Sequence, residues 1–180
     1  MQFLEKIKKS IFNLIILVLL ILSFFVFKFA LQKEKIYSPK IVDNQIFTDF
    51  EVTDLTEKKK INFDKVLLGK NFYLINIWSS WCEPCKDENH KLLELKNDTS
   101  IMMIGINYKD KRKNALNFLK FYGNPFDQIF IDDQGTISIN FGAYGVPETF
   151  LVNDNKEVLK KYIGPLNEDN VFEIKKITNN

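Results

Sequence analysis

Cys82 and Cys85 are the only two cysteines of this 180-residue chain, and they stand in the run Trp81-Cys82-Glu83-Pro84-Cys85. An apolar stretch, Phe72-Tyr73-Leu74-Ile75-Asn76-Ile77-Trp78, precedes them and reads as a buried strand. Residues 86–96 follow, rich in good helix formers, with Leu92, Leu93 and Leu95 along them. Two thiols at this spacing on the first turn of a helix sit close enough to bond. The first lies where unpaired backbone N–H groups and the helix dipole favour a thiolate. Strand, Cys-x-x-Cys and helix in that order point to a redox pair. Other chemistries fit less well. A structural zinc site needs four ligands, and beyond the two thiols the chain offers one histidine, His90. A c-type haem attachment needs histidine directly after the second cysteine, where Lys86 stands. A purely structural bridge closing so short a loop constrains little of the unfolded chain.

A second signal lies in Gly142-Ala143-Tyr144-Gly145-Val146-Pro147-Glu148-Thr149-Phe150-Leu151-Val152, which ends as a strand-like run with Pro147 at its entrance. Proline tolerates cis geometry and has no N–H to give to a ladder. Trp-Cys-x-x-Cys followed by Val-Pro before a strand resembles the thioredoxin superfamily. The segments Gly105-Ile106-Asn107-Tyr108-Lys109-Asp110, Gly123-Asn124-Pro125, Gly145-Val146-Pro147-Glu148-Thr149-Phe150 and Gly164-Pro165-Leu166-Asn167 narrow the likeness. Together they resemble the membrane-anchored thiol:disulfide interchange proteins of cytochrome c maturation (the DsbE/CcmG type), over residues 46–177. The resemblance implies an α/β thioredoxin-like fold with a mixed central sheet flanked by helices. It also implies Cys82 as nucleophile, Cys85 as resolving thiol, and a cis Pro147 packed against a Cys82–Cys85 disulfide. Trp81, Val146, Pro147 and Thr149 would face the client, whose extended chain adds as a strand. Trp78 either flanks the pair or is plain core.

Acidic residues bear on the chemistry. Glu83 beside Cys82 disfavours a thiolate and pushes towards a reductant, a push that screening weakens if Glu83 points into solvent. Asn76 falls where thioredoxin carries a buried aspartate that helps deprotonate the resolving cysteine, and an amide cannot take that proton. Glu88, one helical turn after Cys85, and Glu148, after the expected cis-proline and facing the cysteine loop, are the candidates for proton handling and tuning. The other reading of Glu88 is a solvated helix residue. His90 reads as a surface residue, and Asp110 as the cap of the next helix.

The elements that must position these residues follow from periodicity. Residues 11–31 are apolar but for Asn13, Ser23 and Lys28, and at ~1.5 Å per residue they span about 30 Å of hydrocarbon. No small-residue cleavage site ends the run, so a retained transmembrane helix is expected, with residues 1–10 as a tail and 32–45 as an exposed tether. Residues 46–180 form the domain. Strands are expected at 50–55, 61–63, 72–78, 101–106 and 128–131, a helix through Ala115, Phe118 and Tyr122 ending at Gly123, and a hairpin of 149–152 with 158–163. Asn167 caps the closing helix. The formal charge of +2 arises at the N-terminus, because residues 1–35 hold six lysines and two glutamates, leaving 19 basic and 21 acidic residues beyond. That balance gives no footprint for nucleic acid.

The resemblance implies a reductant of apocytochrome c or of a partner thiol protein, re-reduced by a membrane electron donor, without metal or cofactor. It places the anchor in the inner membrane, residues 1–10 in the cytoplasm and the domain on the periplasmic side, whereas the lysines flanking the span are balanced. One alternative is a broader extracytoplasmic thiol reductase with another client. An alternative of another class is a thioredoxin-like copper metallochaperone or scaffold holding Cu(I) through both thiolates. Met102 and Met103 lie in an apolar strand-like run, so no further soft ligand is evident.

Overall fold

A computed structural model describes residues 2–32, 50–67 and 69–179. The chain divides into an N-terminal unit and a larger C-terminal one. The described residues of the first form one helix, α1 (Gln2–Gln32). It starts well before the expected span, because Lys6, Lys8 and Lys9 are themselves good helix formers. Glu5–Phe29 is long and apolar enough to cross a membrane, with a mean hydropathy of 2.9. The expected tether, apart from Gln32, lies outside the described residues.

The second unit runs β1 (Glu51–Asp54), β2 (Lys60–Asn62), α2 (Phe63–Val66), β3 (Phe72–Trp78), α3 (Glu83–Leu95), β4 (Ile101–Tyr108), α4 (Arg112–Tyr122), β5 (Gln128–Asp132), α5 (Thr136–Asn140), β6 (Glu148–Asn153), β7 (Val158–Ile163) and α6 (Glu168–Thr178). The described strands form one sheet in the order β2-β1-β5-β4-β3-β6-β7. β3, β4 and β5 are parallel, while β1, β6 and β7 join antiparallel. This is the thioredoxin-like mixed sheet with flanking helices. The expected 61–63 strand pairs with β1 as β2, and Asn167 caps α6 in a reciprocal box with Asn170. Two short helices, α2 and α5, have no counterpart among the expected elements.

β3 is central and buried on both faces, which is why its sequence is a continuous apolar run rather than an alternating one. Leu74 and Trp78 point into one core with Met103, Leu92, Leu95, Phe118, Phe126 and Leu151. Tyr73, Ile75 and Ile77 point into the other with Ile104, Phe130, Phe141 and Phe150. Cys82 and Cys85 belong to the first core. Trp78 is therefore core and neighbour of the pair at once, lying against the rings of Phe118 and Phe126. Gly105 makes this possible: a Cβ there would stand 2.8 Å from the Phe126 ring and 2.9 Å from Trp78 Nε1. Gly105→Ala is accordingly expected to overpack this corner and cost about 1–3 kcal/mol, read as a lower urea midpoint. An unchanged midpoint would show that the corner has slack.

Candidate functional site

β3 ends at Trp78, and the turn 79–82 carries the chain to the start of α3. Cys82 is the N-cap of α3, and its sulfur accepts the backbone N–H of Cys85 at 3.2 Å. Pro84 sits in the first turn, where a missing N–H costs nothing. Cys82 and Cys85 form a disulfide. Both are buried, at 4% and 3% exposure, whereas the adjoining Trp81 is 58% exposed. The pair thus lies just beneath the surface, behind one projecting indole.

The turn before Cys82 is held from β4. Ser79 Oγ donates to the carbonyl of Tyr108, and Trp81 Nε1 donates to the carbonyl of Lys109 at 3.1 Å. The Asp110 carboxylate accepts from Ser80 N–H at 2.7 Å, from Ser80 Oγ at 2.9 Å and from Asn107 Nδ2 at 3.1 Å. Asp110 is therefore not the cap of α4. That position is taken by Lys111, without a side-chain bond, because the carboxylate is occupied by the cysteine-bearing turn.

Behind the disulfide the buried stripe of α3 continues as Cys85, Glu88, Asn89, Leu92 and Leu95. Glu88 is 1% exposed, which removes the reading as a solvated residue. Its oxygens accept Asn76 Nδ2 and the backbone N–H of Leu166, each at 2.9 Å. Burial pushes the Glu88 carboxyl up to about 7, although the bonds from Leu166 and Asn76 pull it back. The second Asn76 amide hydrogen goes to Thr149 Oγ1 at 2.9 Å.

Val146–Pro147 is a cis peptide. Glu148, next along, pairs with Ile77, so the proline stands at the end of the sheet from which the cysteine turn leaves. Val146 is half-buried and packs against both cores.

Two further expectations need correction. Glu148 does not face the cysteine loop. Successive residues of a strand point to opposite faces, and Glu148 shares its face with Phe150 of the second core, where its carboxylate meets Lys161 at 2.7 Å. Thr149 is not at a client-facing edge: it is fully buried and bonded to Asn76. Glu83 is 73% exposed and paired with Lys86, so solvent and the ammonium screen its push on Cys82. Asn76, Ser80 and Asp110 are the site residues whose contacts the sequence pattern did not show. His90 is exposed, as expected. Among the described residues no three His, Cys, Asp or Glu side chains cluster as metal ligands.

Comparison with known proteins agrees with this geometry. The family model described as Redoxin matches residues 42–178. The chain is 44% identical over 102 residues to the thiol:disulfide interchange protein CycY of Rhizobium leguminosarum, covering 57% of this chain and 54% of that protein. It is 34% identical over 136 residues to the thiol:disulfide interchange protein DsbE of Allochromatium vinosum, covering 76% of this chain and 74% of the relative. The chain thus spans about half the length of the first relative and about three quarters of the second. A thiol:disulfide interchange protein of the thioredoxin family from Chlorobium tepidum superposes with a TM-score of 0.62 at 19% identity, covering 76% of this chain and 97% of that one. At that identity the likeness speaks for the fold.

Two outcomes are expected. The folded-state pKa of Glu88, about 7, lies above its unfolded value, so the native state binds the extra proton between about pH 4.5 and 7. The stability that Glu88 contributes is fullest below that window and is lost as pH rises through it, by roughly 3 kcal/mol. Glu88→Gln abolishes this slope in urea titrations across pH 4–8, and a wild-type curve that is flat there would refute the shift. Asp110→Ala strands the Ser80 and Asn107 donors and is expected to cost about 1–3 kcal/mol. Because it frees the Trp81 turn, it also red-shifts tryptophan emission, and unchanged stability and emission would count against the clamp.

Proposed function

The chain belongs to the Redoxin family, shared with thiol:disulfide interchange proteins, and we propose that it is a membrane-anchored reductant of apocytochrome c or of a partner thiol protein during cytochrome c biogenesis. The observation that carries this reading is the Cys82–Cys85 disulfide at the start of α3, with buried Glu88 one turn behind and exposed Trp81 in front.

In the dithiol form, the Cys82 thiolate attacks one sulfur of a client disulfide. That bond breaks, a mixed disulfide forms, and the other client sulfur leaves as a thiolate that takes up a proton. Cys85 then loses its proton and attacks the Cys82 sulfur. The client departs with both sulfurs reduced, and Cys82–Cys85 holds the disulfide. Glu88 lies on the same buried stripe as Cys85, and a carboxyl with a pKa of about 7 suits the acceptor of the Cys85 proton near neutrality. As an anion it also disfavours a neighbouring thiolate. Strong oxidants of this chemistry stabilise the thiolate, so the effect of Glu88 runs towards a reductant. The half-buried Val146 with Pro147, at the same end of the sheet, forms the edge that receives the client backbone, and Trp81 closes the other side. A membrane electron-donor protein returns two electrons and two protons to the pair.

The apolar helix Glu5–Phe29 supports a single anchor in the inner membrane, with residues 1–10 cytoplasmic and residues 46–180 periplasmic. The likeness of the 105–110 and 145–150 segments to proteins of cytochrome c maturation supports the choice of client.

Equilibration of the full-length protein in defined thiol buffers is expected to give a reduction potential near or below that of thioredoxin, about −270 mV. A potential near about −120 mV would make the protein an oxidant and reverse the direction. Cys85→Ser should trap a mixed disulfide between Cys82 and oxidised apocytochrome c, and Cys82→Ser should not. Trapping of other disulfide peptides but not of apocytochrome c would shift the client to that of a broader thiol reductase.

A further inference from the structure

On the sheet face opposite the disulfide, a second polar constellation is buried behind the loop 142–147. The side chains of Lys161 and Glu148 are 4% and 2% exposed and meet at 2.7 Å. Lys161 Nζ donates to the carbonyl of Gly142 at 2.6 Å and lies 4.6 Å from the centre of the Tyr144 ring and 5.2 Å from that of Phe150. The other Glu148 oxygen accepts the backbone N–H groups of Tyr144 at 2.8 Å and Gly145 at 3.1 Å. One ammonium and one carboxylate therefore hold both limbs of the loop that leads into Val146 and Pro147.

Stability alone is a poor account of such a pair. Desolvating two charges offsets most of their attraction, and apolar residues of similar volume do as well or better. What charges supply here is direction: a bond to one carbonyl, bonds from two amides and a ring seated over a cation leave the loop one arrangement. A loop already in its binding conformation loses less freedom when a partner arrives, and the gain shows in affinity.

We propose that Lys161 is a positioning residue for client binding: with Glu148 it fixes the 142–145 loop and so presents the Val146–Pro147 edge to the extended backbone of a client. This rests on the reading of that edge as the client's docking strand. Lys161 touches neither the disulfide nor the client and acts through the loop, so it governs KM more than kcat.

The test uses the reduced full-length protein with two substrates. One is a disulfide-bridged peptide that must dock along the edge, and the other a small aromatic disulfide that meets Cys82 alone. Lys161→Met by itself leaves Glu148 buried and unpaired, so the decisive variant is the double substitution K161M/E148Q, which removes both charges at nearly constant volume. The expected result is a melting temperature within a few degrees of wild type, a peptide KM raised about tenfold and a peptide kcat changed less than about twofold, as for lost preorganisation. Three outcomes would overturn the proposal. They are a peptide KM that returns to the wild-type value in the double variant, a small-disulfide rate that falls in step with the peptide rate, and a double variant that does not fold, since the pair is then a stability element. A wild-type protein that reduces the small disulfide but shows no saturable reduction of the peptide would overturn the docking-strand reading itself, and this inference with it.

Discussion

The amide of Asn76, without solvent exposure at the middle of the central strand, joins the elements on which the chemistry rests. Its two hydrogens are both committed, one to Glu88 of α3 and one to Thr149 of β6. Glu88 passes the connection on to Leu166, ahead of α6. Strand, cysteine helix, proline strand and the approach to the closing helix are thus linked through two side chains, Asn76 and Glu88. An aspartate at this place would offer only acceptors to a carboxylate and would repel it. The amide is the group that can hold Glu88 in either charge state, and its own oxygen is buried without a partner among the described residues.

The other anchor is Trp78. It ends β3, fills the space that Gly105 leaves open and lies against Phe118 and Phe126. The same core holds both cysteines, so the disulfide is seated on a close-packed floor and not on a loop. With the turn above it pinned by Asp110 and the carbonyl of Lys109, Trp81 is exposed yet tethered, which suits a surface that must meet a client without reorganising first.

Much of this could be read from the chain itself. The cysteine pair, the strand before it and the helix after it follow from spacing and periodicity, and so do the terminal hairpin and the Asn167 cap. Much of what could not be read concerns the direction in which a side chain points. Thr149 to Val152 offers no polar–apolar alternation to phase β6, so nothing along the chain says that Glu148 and Thr149 turn to the faces they do. Lys161 stands in a stretch with an exposed Leu159 and Ile163, the reverse of an ordinary half-buried pattern, and reads as a surface lysine. Asp110 has the place of a helix cap but is claimed by Ser80, thirty residues earlier in the chain. Helix α5 is too short for periodicity, and it forms because Asp132 collects the N–H groups of Ile137 and Ser138.

The opposite facing of residues 148 and 149 has a consequence for how β6 finds its place. A strand that slips by one residue exchanges its faces, and the stretch from Phe150 to Val152 would tolerate the exchange, being apolar either way. The carboxylate would not. Slipped, it would enter the dry chamber that already holds Glu88, while Lys161 would be left without a counter-ion. Both errors are electrostatic and both are buried, where they cost most. The Glu148–Lys161 pair thus adds a charge penalty to the lost Thr149–Asn76 bond in opposing a slip of this strand.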